Sequence, residues 1–203
     1  MSKSLVIMLH GVGSCGDDLA PLGQLWRDEL PDTAFAAPDA PFAFEHGAGH
    51  QWFSIAGVTE NNRPARVVDA RAAFDATLSR LMAANGLTDC PQRVVLVGFS
   101  QGSIMALDAV ASGRWPLAAV VAFSGRLSSP LPLSPSPGVP VLLIHGEQDS
   151  VINSLETKRA AATLRTLGVT VQDIILPGLG HSLSSEGAAL AGTFIAQALA
   201  VAK

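Results

Sequence analysis

The sequence predicts an α/β fold in which a mostly parallel central sheet carries helices on both faces. Three observations predict it. Short β-branched runs recur along the chain; most are apolar at every position, the pattern of strands buried on both faces; and helix-length segments alternate with them, which implies crossover connections between parallel strands. With 203 residues, 48% of them apolar and 15% charged, the chain can withdraw about 70% of its unfolded surface from water around one core. Neither a repeat nor a linker divides it, so residues 1–203 are read as a single domain.

Taken in order, Leu5 to Leu9 is the first strand. No element is recognisable from Pro38 to Pro64, and a loop that long in a compact fold is expected to be functional, anchored by Phe42, Phe44, Trp52, Phe53 and Ile55. A helix follows in which Val67, Ala70, Phe74, Leu78 and Leu81 share one face, while Arg66, Asp69, Arg71, Asp75 and Arg80 take the remainder. Val94 to Val97 is a strand, Gln101 to Ala111 a helix, and Ala119 to Phe123 a strand. The Pro- and Ser-rich stretch from Ser128 to Pro140 reads as a surface connection. Beyond it lie the strand Val141 to Ile144, a helix from Leu155 to Leu167 stopped by Gly168, the strand Val171 to Leu176, and a last helix from Glu186 to Ala200.

Charge and composition exclude several functions. The formal net charge is -4 and the 13 basic residues are scattered, so no cationic stripe exists to displace counterions from a nucleic acid. Cys15 and Cys90 stand far apart, without His or Cys at metal-ligand spacing, and read as free thiols. The apolar run near the amino terminus is too short for the core of an export signal, which makes a cytoplasmic location the expectation. The stretch from Gly187 to Ala202 is shorter than the roughly 20 residues that span a bilayer, so no stable membrane insertion is expected.

Gly98-Phe99-Ser100-Gln101-Gly102 fits Gly-x-Ser-x-Gly and stands between a strand and a helix. That context is the nucleophile elbow of the α/β-hydrolase fold, where a strained serine is presented at the carboxyl end of the sheet and small residues on either side let strand and helix approach. A serine hydroxyl needs a base within hydrogen-bond reach and a carboxylate to orient that base. In this architecture they come in the order Ser, Asp or Glu, His. Asp149 and Glu147 both lie on the loop after the strand Val141 to Ile144; Asp149 is the chosen acid and Glu147 its competitor. His181, in the Gly-containing loop after Leu176, is the one histidine downstream of them and is assigned as the base. The oxyanion of acyl transfer needs donors worth roughly 3 to 4 kcal/mol each. They are assigned to the backbone N–H groups of Gln101, next to the nucleophile, and Val12, in the turn after the first strand.

That turn also reads Gly11-Val12-Gly13-Ser14-Cys15-Gly16, a match to the dinucleotide fingerprint. A nicotinamide- or flavin-dependent oxidoreductase is therefore an alternative. Against it, Asp17 and Asp18 stand where a pyrophosphate would be received, and Asp32, at the distance of the ribose-binding acid, does not end a strand. A second alternative is a non-catalytic binding protein on the same scaffold.

The combination resembles the phospholipase/carboxylesterase family, which includes the acyl-protein thioesterases. The resemblance covers most of the chain: Leu9-His10-Gly11-Val12-Gly13, Ala37-Pro38-Asp39-Ala40-Pro41, Trp52-Phe53, the serine pentapeptide, Ser124-Gly125, His145-Gly146 with Asp149, and Gly180-His181. It departs from the family pattern at Ser54, Glu147 and Ser150. What it implies is an α/β-hydrolase without a large cap domain, no cofactor, and a small-molecule acyl ester, thioester or lysophospholipid substrate. It also implies that Trp52, Phe53 and Ile55 border the acyl group. A homodimer is compatible with the sequence.

Overall fold

The structure is a computed structural model that describes residues 4–201. Met1 to Lys3, on which the reading of the amino terminus partly rests, and Ala202, the end of the last apolar stretch, lie outside the described residues. In chain order the elements are β1 (Ser4–Leu9), α1 (Ala20–Leu25), β2 (Thr33–Ala36), β3 (Phe42–Ala43), β4 (His50–Gln51), α2 (Arg63–Ala84), β5 (Val94–Phe99), α3 (Gln101–Ala111), β6 (Ala119–Phe123), β7 (Val141–Gly146), α4 (Leu155–Thr166), β8 (Val171–Leu176) and α5 (Ser185–Val201). Six strands form one sheet in the order β2-β1-β5-β6-β7-β8, each pair parallel. Because every strand runs the same way, the loops after β1, β5, β6, β7 and β8 gather at one rim.

The apolar runs form strands because both faces are covered, and alternate side chains enter two separate cores. Leu5, Ile7, Leu9, Val94 and Leu96 pack with α2, α3 and α4 through Phe74, Leu78, Met105 and Leu164. Val6, Met8, Val95 and Val97 pack on the opposite face with Trp26, Phe194 and Ile195. Each fully buried Leu, Ile, Val or Phe contributes about 1.5–3 kcal/mol of transfer free energy. Trp26 also donates its indole N–H to the Ala188 carbonyl at 2.8 Å, which ties the segment after α1 to α5. The helix α3 is buried at every position, so the element that begins with the elbow is fixed on all sides.

The stretch 38–64 is more ordered than the sequence indicates. Phe42 and Ala43 pair antiparallel with Gln51 and His50, and His50 bridges to Ser14 in the turn after β1. The segment 128–140 is irregular, with Ser134 and Ser136 donating to the carbonyls at the end of α3. Among the described residues no helix is long and apolar enough to cross a membrane.

Candidate active site

Ser100 sits between β5 and α3 at φ 52°, ψ -114°, a conformation that costs a non-glycine residue about 1–3 kcal/mol and persists only where its surroundings enforce it. Two constraints do so. The Ser100 N–H donates to the Phe123 carbonyl at 2.9 Å, and α3 is drawn so close to the end of β1 that a Cβ on Gly102 would overlap the Leu9 carbonyl and lie 2.8 Å from the His10 oxygen. Only glycine fits there. The serine is 7% exposed.

Asp149 follows β7 and is likewise buried. Its Oδ1 accepts the N–H groups of Val151 and Ile152 at 2.8 and 2.9 Å, a local turn that locks the carboxylate. Burial works to raise its pKa, but the hydrogen bond from His181 and the two backbone donors outweigh it and hold the group below its ordinary value. Glu147 on the same loop is exposed. The loop carrying His181 is stitched to this one. Gln148 N–H donates to the Leu179 carbonyl at 2.9 Å, and Gly146 has no Cβ to collide with the Leu179 and Gly180 carbonyls.

The structure thus brings together three side chains that are distant in the chain. His181 Nδ1 lies 2.7 Å from Asp149 Oδ2, and Nε2 lies 3.0 Å from Ser100 Oγ. A carboxylate only accepts, so Nδ1 carries the proton and the lone pair of Nε2 faces the hydroxyl, the tautomer a base requires. The Phe99 ring stacks at a tilt on the imidazole, 4.9 Å between centroids.

Val12 stands in the turn after β1, which runs alongside the elbow: a Cβ on Gly11 would lie 3.3 Å from that of Ser100. Among the described residues no hydrogen bond occupies the N–H of Val12 or of Gln101. The Gln101 N–H is also at the positive end of α3, which favours an anion there. By contrast, the N–H groups of Gly13, Ser14 and Gly16 are taken by the His50 carbonyl, the Gly11 carbonyl and the Asp39 carboxylate. The Gly-x-Gly-x-x-Gly turn therefore offers a pyrophosphate little, and Asp32 precedes β2 instead of ending it. Among the described residues no group of three His, Cys, Asp or Glu is placed to hold a metal ion.

Of the residues assigned to substrate, Trp52 is 1% exposed. Its indole N–H donates to the His10 carbonyl at 2.9 Å and its ring meets Phe74 edge-on. That is the arrangement of an anchor. Phe53 is buried too, and Ile55 is half-buried. A groove of about 460 Å³ runs along Phe42, Trp52, Phe53 and Ala70, and its lining includes neither Ile55 nor the three joined side chains.

Sequence reasoning missed the supports. The Gln101 side chain clamps the aromatic segment, accepting the Trp52 N–H on Oε1 at 2.7 Å and donating from Nε2 to the Phe53 carbonyl at 2.8 Å. His10 is fully buried; its Nε2 accepts the Ala40 N–H at 2.9 Å and its Nδ1 donates to the Gly11 carbonyl at 2.7 Å. Burial lowers its pKa, in keeping with a neutral ring. Both residues lie within motifs quoted from the sequence, yet their partners are too far along the chain for spacing to indicate them.

A family model described as phospholipase/carboxylesterase matches residues 1–199. Esterase YpfH of Escherichia coli is 31% identical over 185 residues, covering 91% of this chain and 78% of that protein. Acyl-protein thioesterase 1 of Neurospora crassa is 28% identical over 201 residues, covering 89% and 81%. Among solved structures, esterase PE8 superposes with a TM-score of 0.89 at 40% identity, covering 98% of this chain and 94% of that one.

Proposed function

This chain belongs to the phospholipase/carboxylesterase family, and from that premise we propose that it is a serine carboxylesterase of small to medium acyl esters, with thioesters and lysophospholipids in the same chemical range. One observation carries the reading: the unbroken line of hydrogen bonds from Asp149 through His181 to Ser100.

In the proposed cycle His181 Nε2 takes the hydroxyl proton as Ser100 Oγ attacks the substrate carbonyl. The charge that develops on the carbonyl oxygen is received by the N–H groups of Gln101 and Val12. Asp149 stabilises the imidazolium, which then gives its proton to the leaving alcohol or thiol. Water, deprotonated by His181, attacks the acyl-enzyme, and the acid leaves with Ser100 restored. Phe53 and Ile55 border the acyl group, with Trp52 anchoring the segment behind them. The two free thiols are in keeping with a reducing, cytoplasmic setting.

Hydrolysis of p-nitrophenyl butyrate tests the reading. Ser100→Ala is expected to lower turnover by about a millionfold and Asp149→Asn by about ten-thousandfold. A Ser100→Ala protein that keeps the unmodified rate overturns it.

A further inference from the structure

Arg126 emerges from a turn wrapped around the nucleophile. The Phe123 carbonyl in that turn accepts the Ser100 N–H, Ser124 donates its N–H to the Ile144 carbonyl at 2.9 Å, and Gly125 lies against the side chain of Ser103 in the first turn of α3. Three residues of chain, at most about 11 Å, separate Arg126 from the carbonyl that holds the nucleophile. Its side chain is 16% exposed, and the acid in reach, Glu60, is 3.9 Å away and 82% exposed. A well-solvated carboxylate at that distance is a weak counterion.

Arg63, half-buried in the first turn of α2, donates its backbone N–H at 3.0 Å to the carbonyl of Thr59, the neighbour in the chain of Glu60, whose carboxylate Arg126 faces. Burial, then the positive charge of Arg126, lower the pKa of Arg63 against the opposing pull of Glu60 and Glu156. Glu156 lies in the first turn of α4, directly after the loop of Asp149, and is already paired with Arg159 at 2.6 Å. Among the described residues neither guanidinium has a hydrogen-bond partner. Other partly buried arginines differ. Arg66 donates to the carbonyls of Ser54 and Ala56, Arg71 donates twice to Asp108, and Arg114 spans Asp75 and Asp108. Two planar cations with open donors, one on each side of a solvated Glu60, match the oxygens of a carboxylate or phosphate.

We propose that Arg63 and Arg126 form an anion-binding subsite beside Ser100, so that the preferred ester or thioester carries a carboxylate or phosphate. This rests on the esterase reading above and specifies its substrate. Two pairs of probes separate the possible positions of the anion. For the acyl side, p-nitrophenyl hemiglutarate is compared with p-nitrophenyl pentanoate. For the leaving group, butyryl-coenzyme A is compared with the butyryl thioester of N-acetylcysteamine.

In at least one pair the wild type is expected to favour the anionic member by about tenfold or more in kcat/KM, the scale of one charge-assisted hydrogen bond. Arg126→Gln and Arg63→Gln are each expected to lower that ratio about tenfold, mainly through KM, with Arg126→Lys intermediate because it keeps the charge but not the fork. A ratio near one in both pairs, or a preference that the substitutions leave unmoved, overturns the subsite. Failure to hydrolyse any of the four probes would instead sink the esterase reading.

Discussion

Nε2 of His145 lies 3.2 Å from Oδ2 of Asp149, the same oxygen that receives His181. His145 is fully buried. Its Nε2–H donates to the Ile152 carbonyl at 2.8 Å, and its Nδ1 pairs with the Thr157 hydroxyl at 2.8 Å. One imidazole therefore braces the turn that carries Asp149, from its strand, its far end and α4 at once.

His145→Phe is expected to destabilise the fold by roughly 1–3 kcal/mol for each buried group it leaves unpaired, read as a lower urea midpoint. It is also expected to lower kcat/KM tenfold or more, because a small displacement of the orienting carboxylate carries through to the base, and misplacement by about 1 Å can cost a hundredfold. His145→Gln, which keeps a donor for Ile152, should recover part of both losses. Wild-type rates in His145→Phe would show that the brace does not position the acid.

The Gln101 clamp leads to a second expectation. Gln101→Glu keeps the shape and the acceptor for Trp52 but sets a carboxylate against the Phe53 carbonyl. The released segment holds Trp52, whose indole fixes His10 immediately before Gly11 and Val12. A fall in kcat of about ten- to a hundredfold is expected, below the loss of a whole oxyanion donor. Steady-state kinetics on p-nitrophenyl butyrate reads it, and a kcat within twofold of wild type contradicts it.

Asp108 sits inside α3 with no exposed surface, bound by Arg71 and Arg114. Burial works to raise its pKa, but the hydrogen bonds from the two arginines prevail and hold it below its ordinary value. Because the folded value lies below the unfolded one near 3.9, its contribution to stability is full above about pH 4 and is lost as pH falls through the folded value. Asp108→Asn should cost about 3 kcal/mol at neutral pH by stranding the arginines. The gap to wild type should close below about pH 4, and urea midpoints measured across that range check it. A gap that persists unchanged at low pH contradicts it.

Much of the frame is legible because burial on both faces writes itself into composition: Val94 to Val97 and Val141 to Ile144 can hardly be anything but inner strands. Thr33–Ala36 escapes notice because it is a half-buried edge of four residues, shorter than the window in which a pattern can form. The hairpin of Phe42–Ala43 and His50–Gln51 has two residues a side and is held by backbone bonds that carry no sequence signal. At the site, the order Ser, Asp, His is readable because the elbow has a local motif and the topology dictates which later loops reach the same rim. Asp149 and Glu147 share one loop, and the sequence ranks Asp149 first without showing what aims it; the turn at Val151 and Ile152 holds its carboxylate toward His181. Trp52 carries the same lesson, since its burial depends on a carbonyl 42 residues away.

The central claim is that Ser100 forms the covalent acyl-enzyme with His181 as its base. Reaction with a fluorophosphonate, followed by mass spectrometry of the digested protein, tests it most directly. One adduct is expected, on the peptide containing Ser100, absent in Ser100→Ala and formed far more slowly in His181→Ala. An adduct on another residue, or none at all in a protein that still hydrolyses p-nitrophenyl butyrate, would contradict the account.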